Sequence, residues 1–327
     1  LIVKFHNYLG IYLIYYFLYF SIIYMDNLIE EIRSNHSDMY VDNTLAAIRV
    51  SGKDNKKFLQ GQLTNDIEKL SDRFMNTSYC THQGKVIVNI QVFLSEEDVI
   101  LLLSKSLSKY FIEKISKYIL MSDVKFMLYN EVTALWSLGD KARELMREYK
   151  IEEDKLCSRI SETEYMINMC MENSYQIRYI NLNSSNTSKF EYNELSETQT
   201  CLIDLFRLHT RLKTDNIEKF IPQVLNSDEL ETVSYKKGCY TGQEVIARTH
   251  YLGNVKKHTY LVIIDAPINN ETNVVNSDGE SVGELIGETF TYQEVILSHC
   301  VLRDSSDFSD LFIKDNVIKV LAKEDIS

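Results

Sequence analysis

Residues Lys236–Gly253 read KKGCYTGQEVIARTHYLG, a short run holding a thiol, two lysines, three glycines, a Gln–Glu pair and an arginine. Thr241 and Glu244 have the spacing of a capping box, in which the hydroxyl accepts from a backbone N–H near Glu244 and the carboxylate reaches back. That spacing predicts a helix starting at Gly242 and carrying Gln243 through Thr249. On it Glu244 and Arg248 stand one turn apart, acid before base, the favourable order. Cys239 falls just ahead of the start, near the positive end of the helix dipole, with Lys236 and Lys237 beside it. Both features favour thiolate over thiol and predict a reactive cysteine. Local chemistry leaves one alternative open, a tight Gly-Cys-Tyr turn whose cysteine fills a small apolar gap.

Lys237, Gly238, Cys239, Tyr240, Gly242, Gln243, Glu244, Arg248, Tyr251 and Gly253 together resemble the signature of the YgfZ/GcvT folate-binding family, specifically its YgfZ branch. VSGKDNKKFLQGQLTNDI (50–67) and SKYILMSDVKF (116–126) continue the likeness, which returns at Ile221-Pro222-Gln223. The resemblance implies an α+β, three-lobed aminomethyltransferase-like folate-binding fold. Two ferredoxin-like α+β lobes and a C-terminal β-barrel would surround a folate-sized channel. It divides the chain into an apolar leader over 1–24, a folate-binding domain over 25–254 and a barrel domain over 255–327.

The resemblance also implies chemistry. The YgfZ branch is implied to act in iron–sulfur cluster assembly or repair with tetrahydrofolate, supporting maturation of cluster enzymes, including ones that modify tRNA. Its partners would be folate and iron–sulfur client proteins or cluster carriers. Cys239 would sit at the channel mouth as a transient cluster ligand, a persulfide carrier or a redox thiol, with Lys237 tuning it. Asn65, Asn89, Arg207, Tyr240, Gln243, Glu244 and Arg248 would serve the folate, the last three also by holding the loop. Family members carry Arg-x-Glu and then Gly-x-Pro near Arg207. This chain has Arg207-Leu208-His209 and no Gly-x-Pro, so that acid is displaced or absent. The family's aminomethyltransferases rely on a carboxylate in Gly-Gly-x-x-Asp-Asp. Laid on GKVIVNI, that segment puts Val88 and Asn89 where the acids would stand. An amide cannot exchange a proton near neutral pH as a carboxylate can. A maturation factor without turnover of its own is therefore favoured over a folate-dependent one-carbon transferase.

Composition bounds these readings. A chain of 327 residues, 45% hydrophobic, is long enough for two or three packed units. A net charge of −12 argues against broad, non-specific nucleic-acid binding and leaves a local basic groove open. Six scattered cysteines without C-x-x-C predict free thiols in a reducing compartment, the cytoplasm or a mitochondrial matrix. Cys80 and His82 are two ligand types without partners, so no metal site is assigned there. Tyr8–Met25 is an uncharged run whose length approaches the ~20 residues of a membrane helix. Tyr12, Tyr15, Tyr16 and Tyr19 suit hydrocarbon poorly, and no small-residue cleavage site follows. Because the chain opens at Leu1 while MDNLIEEI from Met25 reads as a soluble start, the run is read as misplaced upstream sequence, with a membrane anchor as the alternative. A monomer away from membranes is expected.

Periodicity supplies the elements. Strands are expected at Ile48–Val50, Val86–Leu94, Val99–Leu103, Val124–Tyr129, Val132–Leu138 and over NSYQIRYINL. Asp54 is expected to cap a short helix through Gln60, Lys105–Ile119 to form a second and Asp140 to cap a third. Residues 194–212 read as a helix with a Cys201–Leu205–Leu208 stripe. Tyr260–Ile264, Val274–Val275, Ser281–Ile286, Val295–Leu302 and Phe312–Val320 read as an all-β tail, with a hairpin turn at Asn276–Gly279.

Overall fold

The computed structural model describes residues 39–42, 44–71, 74–129, 131–152, 157–169, 176–183, 190, 209–265, 268, 271–292 and 295–321. The apolar run over 8–25, Cys170, Cys201, Arg207 and most of the helix expected over 194–212 lie outside these residues.

The chain first lays down β1 (Met39–Asp42), β2 (Leu45–Ser51), β3 (Met75–Cys80), β4 (Val86–Ser95), β5 (Asp98–Ser104) and β6 (Lys125–Tyr129). All but β1 form one antiparallel sheet, ordered β3-β4-β5-β2-β6. β1 instead joins β7 (Thr133–Leu138), β8 (Cys157–Arg159), β9 (Glu164–Asn168) and β10 (Gln176–Asn181) in a second sheet, ordered β1-β7-β10-β9-β8.

The apolar run of β5 explains how the sheets meet. Val99, Leu101 and Leu103 point into one core, while Ile100 and Leu102 point into another. A strand buried on both faces reads as a continuous hydrophobic stretch rather than an alternation. Ile100, Leu102 and Phe93 pack against Ala134, Trp136, Tyr165 and Ile167 of the second sheet. The opposite face of the first sheet is covered by three helices, α1 (Asn55–Gln60), α2 (Ser108–Ser116) and one near the C-terminal part of the chain, through Phe58, Leu59, Phe111, Ile115 and Ile246. Between them in sequence, α3 (Gly139–Glu148) covers the outer face of the second sheet through Ala142, Leu145 and Met146. The helix holding Ile246 is α4 (Gln243–Leu252). The result is four layers, helix, sheet, sheet, helix.

The third lobe is a closed barrel of β11 (Lys257–Ile264), β12 (Asn273–Asn276), β13 (Ser281–Tyr292), β14 (Val295–Arg303), β15 (Leu311–Ile313) and β16 (Asn316–Val320). Closure comes from β11, which pairs with both β14 and β16 and leaves no free edge. Residues 209–220 run as a strap between the lobes. Glu218 N–H donates to Val86 O and Val86 N–H to Phe220 O, at 2.8 and 2.7 Å, while Asn216 Oδ1 accepts from Gly287 N–H of the barrel at 2.9 Å.

Several local expectations are corrected. Asp54 stands at the N-cap position of α1, as expected, but its side chain makes no capping bond; its Oδ2 accepts from Asp123 N–H at 2.8 Å and ties α1 to the loop before β6. Asp140 lies inside the first turn of α3, where it pairs with Arg143 at 3.1 Å. The helix expected from Lys105 begins as a tight 3₁₀ turn and ends at Ser116. Phe312–Val320 is a hairpin, β15 and β16, rather than one strand. β1, β8 and β9 escape the periodicity because each is only three to five residues long and held by neighbours rather than by propensity. Residues 209–212 form no helix.

Candidate functional site

Cys239 is exposed, in a loop that enters α4. The capping box does not form. Gly242 is the residue before the helix, in the left-handed region with φ 84°, and no side chain caps the turn. Thr241 Oγ1 instead donates to Gln62 Oε1 at 3.4 Å. Gly242 is needed for space as well as for its φ: a Cβ there would stand 2.4 Å from Thr81 O and 2.9 Å from Gly84 Cα. The cysteine loop is thus pressed onto the turn between β3 and β4.

Its other attachment is Lys237. That side chain is buried, and Nζ donates to Gln60 O, Leu63 O and Asn65 O, each at 2.7 Å. Three protons of an ammonium meet three carbonyls. Burial pulls its pKa down to about 8, against the pull of Asp66 and Glu68, so it remains charged at neutral pH. The ammonium also lies 5.0 Å from the Tyr240 ring centroid. Lys237 was expected to tune Cys239; its charge is instead engaged by the end of α1, because only a fully protonated amine can fill that cage.

The remaining residues of the stretch divide. Tyr240 is buried with its hydroxyl unpaired among the described residues, and burial raises its pKa. Gln243 Nε2 donates to Lys237 O at 3.5 Å, a weak brace across the loop. Glu244 and Arg248 are exposed, and no ion pair joins them among the described residues. Asn65, expected at the folate, holds backbone: its Nδ2 donates to Asn76 O and Glu231 O, both at 2.7 Å, and Oδ1 accepts from Asp66 N–H at 2.8 Å. Cys80 is fully buried beneath this region, and desolvation drives its thiol pKa up.

Asn89 lies elsewhere. Its Oδ1 accepts from Ser78 Oγ at 2.7 Å and its Nδ2 donates to Thr210 O at 3.1 Å. It lines a cavity between the two sheets and the strap with Gln91, Arg178, His209, Thr210 and Arg211. Arg178 faces Trp136 across the β10–β7 ladder, so its guanidinium stacks 3.7 Å from the ring centroid, and it donates to Gln91 Oε1. Thr210 is fully buried and its Oγ1 has no partner among the described residues. Arg211 forms a buried bidentate pair with Asp42 of β1, at 2.7 and 3.2 Å, and also donates to Thr44 Oγ1.

Cys239, Lys237, Tyr240, Gln243, Glu244 and Arg248 line no part of this cavity. The unpaired hydroxyl and the guanidinium suit the hydrogen-bonding edge of a pterin. The room does not: about 20 Å³ is open to water centres, enough for a water and far short of a fused ring. No reaction step through folate follows from this arrangement. Arg178, Thr210 and the Asp42–Arg211 pair escaped the sequence reading. The one available signal was an arginine set between Ile177 and Tyr179 in a strand-like run, QIRYIN.

Comparison with known proteins places this architecture. No family model matches the chain. A protein named tRNA-modifying protein YgfZ from Hamiltonella defensa is 27% identical over 304 residues, 86% of each chain. Proteins of the same name from Aliivibrio fischeri and Yersinia pseudotuberculosis are 26% and 25% identical, over 78% and 80% of this chain and 78% and 79% of theirs. Among solved structures, the glycine cleavage system aminomethyltransferase T from Bartonella henselae superposes with a TM-score of 0.68. It covers 92% of this chain and 89% of its own at 10% identity, a likeness of fold alone. No helix among the described residues is long and apolar enough to cross a membrane.

Proposed function

We propose, for a chain that belongs to the YgfZ branch of the YgfZ/GcvT folate-binding family, a role as a cytoplasmic tetrahydrofolate-binding factor in iron–sulfur cluster assembly or repair. It supports the maturation of cluster enzymes, including tRNA-modifying ones, with Cys239 as the functional thiol and the cluster as cargo. The observation that carries the reading is an exposed cysteine on a loop fixed from two sides, by the Lys237 cage and by the close approach of Gly242 to Thr81. A thiol used for passing a cluster or a sulfur atom must reach a partner and yet keep a fixed position. The transferase reading is weaker, because an amide already engaged by Ser78 and Thr210 occupies the place of a proton-exchanging acid.

Cys239→Ala tests the role. The side chain is exposed, so unfolding stability should stay within about 0.5 kcal/mol of the parent. The variant should fail to restore a cluster-dependent tRNA modification in cells lacking the native protein, read as the modified-nucleoside level. Normal restoration would remove the thiol from the function.

Folate binding is measured separately. Trp136, the chain's single tryptophan, is fully buried and stacked on Arg178, which lines the cavity. Tetrahydrofolate entering there must displace the strap over 209–212 and disturb that stack. Titration should give a saturable change in Trp136 emission, absent in Arg178→Met; a flat titration with no calorimetric heat would exclude the cavity as the folate site.

A further inference from the structure

The outer face of α4 has the polarity of a buried surface. Ile246 is its one fully buried side chain. Val245, Tyr251 and Leu252 are 39%, 64% and 83% exposed. Positions 244, 245, 248, 251 and 252 share one stripe at helical spacing, and all are exposed. A surface helix ordinarily turns its apolar stripe inward, so large apolar side chains gathered outward and rimmed by charge mark an interaction surface. The aromatic part is held in place. His250 stacks on Tyr235 at 3.6 Å, Tyr251 sits edge-on to both, and Tyr235 OH donates to Asp228 Oδ1 at 2.9 Å.

Charge identifies the occupant. Residues 236–257 contain five lysines and arginines against the single acid Glu244, in a chain of net charge −12. Lys236, Arg248, Lys256 and Lys257 are exposed. Such a patch on an otherwise acidic protein steers acidic partners toward itself. Val245 and Leu252 offer nothing to phosphates, and single-strand platforms rely on rows of stacking aromatics. Aliphatic side chains around one tyrosine and one arginine suit a protein surface, where Tyr and Arg are common anchors.

We infer that the outer face of α4, with Lys236, Lys256 and Lys257 at its margins, docks a protein partner presenting an apolar face rimmed by acidic side chains. The three apolar side chains form the centre of an interface that, at standard size, buries ~1,600 Å². The surface stands whatever Cys239 carries; because that exposed thiol lies just ahead of α4, a docked partner covers the amino end of the helix beside it.

The test uses a fluorescein-labelled synthetic helix with leucines on one face and glutamates flanking them, read by anisotropy at low salt. The glutamate helix should bind saturably, and its lysine counterpart should not. Val245→Ser/Leu252→Ser and Lys256→Glu/Lys257→Glu should each weaken binding at least tenfold, with unchanged thermal unfolding. No saturable binding, or equal binding to both variants, overturns the proposal. Binding of bulk tRNA that the same variants abolish would assign the face to nucleic acid instead. Self-association in sedimentation, lost in the same variants, would assign it to a second copy.

Discussion

Lys237→Met is expected to destabilise the protein by about 3–5 kcal/mol, although methionine preserves most of the volume. Nζ is the shared partner of Gln60 O, Leu63 O and Asn65 O, each at 2.7 Å in a buried setting. An orphaned buried polar group costs roughly 1–3 kcal/mol. Relaxation and water entry recover part of the loss from three. For a chain this long the expected fall in Tm is roughly 10 °C, and urea denaturation followed by circular dichroism reads the free energy directly. Lys236→Met, at the exposed neighbour, should stay within about 0.5 kcal/mol. A loss below about 1 kcal/mol for Lys237→Met would mean the cage is not what fixes the loop. If thiol alkylation at Cys239 then changed while stability did not, the tuning role first expected for this lysine would return.

That lysine shows what sequence can and cannot carry. The stretch 236–253 was legible as a loop entering a helix at Gln243, and the helix is there. Its internal chemistry was not. Capping-box spacing between Thr241 and Glu244 is a local pattern, yet Thr241 is drawn to Gln62, some 180 residues earlier, and Gly242 starts the helix from a left-handed conformation. The two lysines look identical in sequence, and only the distant end of α1 makes one a buried anchor and leaves the other in solvent. The sheets follow the same division. β5 announced itself because burial on both faces writes a continuous apolar run. β8 and β9 did not, being short strands whose pairing comes from their neighbours. The cavity was the least legible part, since Asn89, Arg178 and Thr210 come from two different sheets and the strap.

The strap's own anchor gives the second large effect. Asp42→Asn should cost about 3–5 kcal/mol, the range for breaking a buried pair by removing one charge. Asp42 is fully buried, and its carboxylate accepts from Arg211 Nη1 and Nη2, from Thr44 N–H at 3.0 Å and from Thr44 Oγ1 at 2.7 Å. Asparagine retains one acceptor oxygen but leaves the Arg211 guanidinium without its counter-charge. The effect is shared out between lobes, because Arg211 O would also stand 2.7 Å from a Cβ at Gly287, so strap and barrel are in contact at that residue. Asp42→Asn combined with Arg211→Met should recover most of the loss, since removing both charges leaves no orphan. A double-mutant cycle from urea titrations isolates that coupling. Additive losses, with no recovery in the double variant, would show that the pair does not hold the strap. Recovery of stability without recovery of the Trp136 response to tetrahydrofolate would separate holding the lobes together from shaping the cavity, which Arg211 lines with its neighbour Thr210.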